Sequence, residues 1–201
     1  SRDHVAVVNG DVTVAQAFGA KPFDHLLFTG STAVGHQVMH AAAANLTPVT
    51  LELGGKSPAI IGPDFPLDVA ARRIMLGKCL NAGQTCIAPD YVLLPAEKLK
   101  AFIDVARNVV QRYYPGGAAS SDYTAIINER HYARLTGYVD DARAKGAGIV
   151  PLTGGDSMSK RKFAPAIVTS VNDGMRVMQE EIFGPLLPLV PYRTLDEALG
   201  Y

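Results

Sequence analysis

Short runs of β-branched and aromatic residues alternate with longer stretches of helical periodicity along most of this 201-residue chain. Strand-like runs fall at Val5–Val8, His25–Phe28, Thr50–Leu53, Ala59–Ile61, Tyr91–Leu94, Ile149–Leu152, Ala166–Val171 and Leu186–Val190. Helix-like stretches fall at Val12–Phe18, Thr32–Ala44, Leu67–Leu80, Glu97–Arg112 and Glu129–Lys145, the last closed by Gly146 as a C-cap. In the Thr32–Ala44 stretch, Val34, Val38, Ala41 and Ala42 recur at helical spacing. A strand followed by a helix and another strand is the signature of an α/β fold on a parallel sheet. The segment Pro115–Asp122, rich in Gly, Ala and Ser, reads as the loosest stretch.

Composition narrows the function classes. The chain is 48% apolar and 19% charged, which is globular rather than disordered. Lys plus Arg and Asp plus Glu are 19 each, so no basic field exists to hold nucleic acid. No apolar run approaches the ~18 residues of a membrane span. The first residues lack the layout of a secretory signal. Two cysteines, Cys79 and Cys86, make no disulfide framework and point to reduced thiols in a cytosolic protein. Thr194 followed by Glu197 is a capping-box pattern that opens a helix a few residues before Tyr201. A dinucleotide-binding sheet also needs more strands than the two that open this chain. Both features predict a fragment of a longer protein.

Four segments could carry chemistry. In Phe28-Thr29-Gly30-Ser31-Thr32-Ala33-Val34-Gly35 a strand ends, a glycine turns the chain and a hydroxyl-capped helix begins. Free N–H groups and the helix dipole at such a turn attract phosphate, although a turn that binds nothing reads the same way. The glycine spacing is neither Gly-x-Gly-x-x-Gly nor a Walker A loop. Gly55-Lys56-Ser57 resembles the end of a Walker A loop, but a β-like run follows where a helix is needed. In Leu51-Glu52-Leu53-Gly54-Gly55-Lys56, a carboxylate between two leucines on an apparently buried strand would have a raised pKa, suited to a general base. The plainer reading pairs Glu52 with Lys56. In Asn81-Ala82-Gly83-Gln84-Thr85-Cys86, a thiol lies on a polar turn where a reactive cysteine would sit, whereas Cys79 reads as inert core. Glu180-Glu181-Ile182-Phe183-Gly184-Pro185 could grip a ribose and cover a ring, or be a solvated face. His36 and His40 have the spacing of a zinc pair without the accompanying glutamate, so no metal site is expected.

In order, Phe28-Thr29-Gly30-Ser31, Leu51-Glu52-Leu53-Gly54-Gly55-Lys56, Gly83-Gln84-Thr85-Cys86 and Glu181-Ile182-Phe183-Gly184-Pro185 resemble the motif series of the aldehyde dehydrogenases. The 34 positions from Glu52 to Cys86 match as well. The phrasing Leu46-Thr47-Pro48-Val49-Thr50 and Gly184-Pro185-Leu186-Leu187-Pro188 is most similar to the branch acting on coniferyl, fatty and aromatic aldehydes. The resemblance implies an α/β fold in which residues 1–53 end an NAD(P)-binding, Rossmann-like domain and residues 54–201 belong to the catalytic domain. It implies Cys86 as nucleophile and Glu52 as general base. It implies cofactor contacts from Gly30, Ser31, Gly35, Leu53, Glu181 and Phe183, and an oxyanion contact from the Cys86 N–H. The cofactor would be NAD, with NADP possible, and the full-length protein a homo-oligomer. The isolated chain, lacking further cofactor and oxyanion groups, would be inactive.

Three other readings compete. An acylating enzyme would pass the thioester to coenzyme A, against which Glu52 argues, because that base makes water the acceptor. A non-catalytic binding homologue would not need both Cys86 and Glu52. A cysteine hydrolase would need a histidine base, and none lies near Cys86 in sequence.

Overall fold

The computed structural model describes residues 4–201. They form two compact units, one running to Gly54 and the other spanning Gly55–Tyr201.

In the first unit, α1 (Val12–Gly19) starts where the Asp11 carboxylate accepts the N–H groups of Thr13 and Val14, at 3.0 and 3.2 Å. Strands β1 (Leu26–Gly30) and β2 (Val49–Leu53) pair in parallel, Leu26 opposite Val49 and Gly30 opposite Leu53. Helix α2 (Thr32–Ala43) makes the crossover between them. A Cβ on Gly35 would stand 3.0 Å from Leu53 Cδ2, so the missing side chain lets α2 lie close on β2. Val5–Val8 forms no strand. Val5, Val7 and Val8 are exposed, and a β-branched run becomes a strand only when another strand satisfies its backbone.

The second unit is a five-stranded sheet of β3 (Pro58–Ile60), β4 (Tyr91–Pro95), β5 (Gly148–Pro151), β6 (Ala166–Thr169) and β7 (Leu186–Tyr192), in the order β3-β4-β7-β6-β5. The first four strands in that order are parallel, while β5 runs antiparallel to β6. The sheet is therefore mixed, with its antiparallel strand at the edge. Its helices are α3 (Leu67–Cys79), α4 (Leu99–Tyr113), α5 (Glu129–Ala144), the short α6 (Arg176–Gln179) and α7 (Leu195–Leu199). The period of two along the strands separates two cores. Val92, Leu94, Ile167, Leu187 and Leu189 pack with Met75, Phe102 and Val110 of α3 and α4. Val168 and Leu186 pack with Leu135 and Tyr138 of α5 and with Ile182.

Asn128 caps α5 by accepting the His131 N–H at 2.9 Å. Gly146, at φ +93°, ends the helix, and the Ala147 N–H returns to the Ala142 carbonyl. Thr194 caps α7 by accepting the Glu197 N–H, although Glu197 returns its carboxylate to the N–H of Arg193 rather than to that of Thr194. In the segment 115–122, Gly117 and Ala118 are buried while Pro115, Gly116, Ala119, Ser121 and Asp122 are exposed. Ala118 is fully buried and its N–H donates to the Gly154 carbonyl. Among the described residues no helix is long and apolar enough to cross a membrane.

Candidate active site

Cys86 is exposed, and its position is set by the chain before it. After α3, three successive residues, Asn81, Ala82 and Gly83, have φ of +51°, +53° and +73°. The two non-glycine residues cost about 1 kcal/mol or more each in that region. Gln84 holds the turn against this strain. Its amide donates to the carbonyls of Asn81 and Ala125, at 3.0 and 3.1 Å, and its Oε1 accepts the Ile127 N–H at 2.9 Å. Asn81 Nδ2 returns to the Gln84 carbonyl. The Ala88 N–H to Thr85 carbonyl bond then closes a turn with Cys86 and Ile87 at its corners. The thiol is thus presented to solvent on a fixed backbone. Cys79, one turn of chain upstream, is 2% exposed, and burial pushes its thiol up to about 12.

The segment around Glu181 and Phe183 meets this turn. A Cβ on Gly83 would lie 2.3 Å from the Gly184 carbonyl oxygen, and one on Gly184 would lie 2.4 Å from Leu135 Cδ2. Only glycines allow the two backbones and α5 to stack so closely. Phe183 itself is in the left-handed region, at φ +45°. Charged groups hold the segment by its backbone. Arg134 on α5 donates to the carbonyls of Glu181 and Ile182, at 3.0 and 2.8 Å. Asp90 accepts the Ile182 N–H at 2.9 Å. Lys56 forms an ion pair with Asp90 and donates to the carbonyls of Val177 and Glu180. Tyr138 links Arg134 to the Glu180 carboxylate. Burial raises the pKa of Glu181. The Gly55 N–H facing its carboxyl pulls the other way, the nearby Asp90 raises it again, and Arg134 and Lys56 lower it.

In the first unit, β1 and β2 end side by side, with Thr29 opposite Glu52 and Gly30 opposite Leu53. Ser31 caps α2 through its hydroxyl, which accepts the Val34 N–H at 3.4 Å. The first N–H groups of α2, from Thr32 and Ala33, have no carbonyl four residues back inside the helix. Leu51 and Leu53 lie towards α2, with Gly35 next to both, and Glu52 points to the opposite face. Glu52 is exposed within this unit, because β2 is covered on one face and alternates between the two. The buried-strand reading of Glu52 is therefore corrected. So is its pairing with Lys56, whose ammonium is taken by Asp90.

The sequence reading missed Gln84 as the lock of the turn, and Asp90, Arg134 and Tyr138 as supports. Gln84 lay inside a motif already singled out. Arg134 and Tyr138 sit on a helix with Arg130, Asp140 and Asp141, where a solvated face is the natural reading.

An α/β unit with a thiol on a locked turn, backed by a braced carboxylate–aromatic segment, matches known enzymes. A solved structure of Staphylococcus aureus AldH in its substrate-bound state superposes with a TM-score of 0.89 at 40% identity, over 96% of this chain and 42% of that one. The aldehyde dehydrogenase of Mycobacterium tuberculosis, solved with NAD+, gives 0.83 at 32% identity, over 95% and 41%. The aldehyde dehydrogenase family model matches residues 2–201. The chain belongs to the aldehyde dehydrogenase family. A relative from Pseudomonas aeruginosa named "Probable coniferyl aldehyde dehydrogenase" is 57% identical over 99% of this chain and 41% of its own length. The chain thus spans about two fifths of the length of that relative.

Proposed function

We propose that this chain carries the nucleophile, the base and several cofactor contacts of an NAD(P)-dependent aldehyde dehydrogenase that releases a carboxylic acid. The observation that carries the reading is the exposed Cys86 thiol on the Gln84-locked turn, stacked through Gly83 on the Glu181–Gly184 segment. On this reading residues 1–53 close the cofactor-binding domain and residues 54–201 belong to the catalytic domain.

The residues suit a nicotinamide cofactor. The N–H groups and dipole at the start of α2, just past Gly30 and Ser31, favour a pyrophosphate, with Gly35 keeping the helix close to Leu53. Glu181 offers a carboxylate to a ribose, Phe183 an aromatic face to the ring, and Leu53 the end of β2. When bound, the cofactor supplies the hydride acceptor.

Cys86, as thiolate, adds to the aldehyde carbon, and its backbone N–H supports the developing oxyanion. A bound nicotinamide cofactor would accept the hydride that this adduct gives up, and Cys86 would then hold the acyl group as a thioester. Glu52 takes a proton from water, the hydroxide adds to the thioester carbon, and the C–S bond breaks to return the Cys86 thiolate and the acid. The name of the Pseudomonas relative favours coniferyl aldehyde or another hydrophobic aldehyde as substrate. We place the enzyme in the cytoplasm as a homo-oligomer. The 201 residues alone turn over little aldehyde, since they span two fifths of the relatives' length.

The test uses a chain of the relatives' full length that carries these residues. It oxidises coniferyl aldehyde with NAD+ or NADP+, and Cys86→Ala abolishes turnover. Glu52→Gln gives about one equivalent of reduced cofactor per site and then stalls, because acyl transfer to water is the step it removes. Full steady-state turnover by Cys86→Ala would sink the assignment. Turnover that requires coenzyme A would replace water with that acceptor.

A further inference from the structure

Glu180 and Glu181 are adjacent carboxylates, and the proposed mechanism uses only the second. The structure treats them differently. Every polar group of Glu180 is engaged. Its N–H donates to the Arg176 carbonyl at 2.9 Å, and its own carbonyl accepts Lys56 Nζ at 3.1 Å. Its carboxylate accepts Arg176 Nε on one oxygen at 3.1 Å and the Tyr138 hydroxyl on the other at 2.9 Å. The Glu181 carboxylate enters none of the ion pairs among the described residues. One acid is committed to the protein and the other is left for a ligand.

The pair of Glu180 with Arg176 decides little by itself. The two side chains are 48% and 45% exposed, and ion pairs so open to solvent contribute little. The bond to Tyr138 weighs more. Tyr138 is 1% exposed, so its hydroxyl proton would be left buried without an acceptor if Glu180 were removed. Its ring is held between the guanidinium groups of Arg134 and Arg176, at 5.2 and 5.1 Å from the centroid. The same hydroxyl accepts Arg134 Nη1 at 2.9 Å. That nitrogen also donates to the Glu181 carbonyl at 3.0 Å, and Nη2 donates to the Ile182 carbonyl at 2.8 Å. The chain of bonds from the Glu180 side chain therefore returns to the backbone one and two residues further on. It closes around the stretch that precedes Phe183, whose φ is +45°. Strained backbone of this kind persists only where its surroundings over-determine it.

We infer that Glu180 and Tyr138 are positioning residues for cofactor binding: Glu180 acts through Tyr138 and Arg134 to fix the backbone of Glu181 and Phe183, so that Glu181 presents its carboxylate to the ribose and Phe183 its ring to the nicotinamide. The inference rests on the reading of the chain as part of an NAD(P)-dependent aldehyde dehydrogenase.

The experiment uses the full-length chain carrying these residues, with NADH as the probe. Its fluorescence on binding gives a Kd without turnover. Glu180→Ala and Tyr138→Phe each raise the NADH Kd about fivefold, as expected for losing one charge-assisted hydrogen bond at a partly exposed carboxylate. Both break the same bond, so the double variant also loses about fivefold, not the ~25-fold of independent changes. Glu180→Gln, whose side-chain oxygen can still accept the Tyr138 hydroxyl, stays within about twofold of wild type. Glu197→Ala removes another exposed Arg–Glu pair, that with Arg193, and leaves the Kd unchanged. A Glu180→Ala Kd equal to wild type overturns the inference, and so do independent losses in the double variant. Glu180→Gln binding as weakly as Glu180→Ala also overturns it, because the charge pair with Arg176 would then be the effective contact. Should Glu180→Ala fail to fold, Tyr138→Phe set against Glu180→Gln decides in the same way. A wild-type chain that binds no NADH overturns the parent reading and this inference with it. One that binds NADH and shows the coupling, yet oxidises no aldehyde, overturns the parent reading alone.

Discussion

Replacing Gly83 by alanine strikes the contact that joins the Cys86 turn to the Glu181–Gly184 segment. The added Cβ would stand 2.3 Å from the Gly184 oxygen, 2.6 Å from its carbonyl carbon and 3.0 Å from the Lys78 oxygen. An ordinary C···O approach is about 3.3 Å, so the two backbones would have to part by about 1 Å. Neither has slack. Gly184 already abuts Leu135, and the residues before it are held by Arg134 and Asp90. Gly83 is also at φ +73°, which adds about 1–2 kcal/mol for an alanine. Overpacking adds about 1–3 kcal/mol, for a total of about 2–5 kcal/mol. Gly146→Ala is the control: its φ is +93° but nothing lies within 4 Å of the added Cβ, so only the backbone cost of about 1–2 kcal/mol applies. Urea unfolding of the 201-residue chain and its two variants gives the comparison, with labelling of Cys86 by a limiting thiol reagent as a local reporter. Gly83→Ala is the less stable by the overpacking difference, and its Cys86 labelling rate changes while that of Gly146→Ala does not. If the two variants lose equal stability, the close stacking of turn and segment is wrong.

The other expectations are simpler. Lys78 binds its proton more weakly folded than unfolded, so its burial opposes folding below about 8 and the penalty disappears as pH rises towards 10.5. Lys78→Met should therefore stabilise the chain at neutral pH by up to about 3 kcal/mol, and urea midpoints at rising pH should show that gain shrinking. Cys79 has the opposite sign: its thiol is held protonated, so stability falls as pH rises from 9.0 towards about 12, and Cys79→Ala should lessen that alkaline loss. In a pH series read by mass spectrometry, Cys86 should label first and Cys79 only on unfolding, and equal labelling would remove the distinction between exposed and buried thiols. Ser31→Ala should cost about 1 kcal/mol through loss of the α2 cap, seen as a lower urea midpoint.

Local signals account for what the sequence disclosed. The Ser31, Asn128 and Thr194 caps and the Gly146 stop each depend on a few adjacent residues, and the helices begin and end within a few residues of where those signals put them. Long-range partnerships were hidden. Val5–Val8 has the residues of a strand, but only a neighbouring strand could make it one. The reversed direction of β5 depends on which side of β6 it reaches, and its own four residues do not encode that. Glu52 looked buried because leucines flank it, yet on a strand covered on one face those leucines and Glu52 point opposite ways. Lys56 was paired with the carboxylate four residues away, while its partner Asp90 lies 34 residues on.

The least legible part of the site is also the most strained. Asn81, Ala82 and Gly83 on one side and Phe183 on the other all have positive φ, and Gly83 and Gly184 bring the two strained segments into contact. Such backbone is kept only where surrounding bonds over-determine it. Here those bonds come from Gln84 on the first segment and from Arg134, Asp90 and Lys56 on the second. Three of these four supports carry charge, and all except Asp90 reach backbone carbonyls. The geometry of the thiol turn thus depends on charges outside it, and a substitution at Arg134 or Lys56 should alter Cys86 reactivity without touching the thiol.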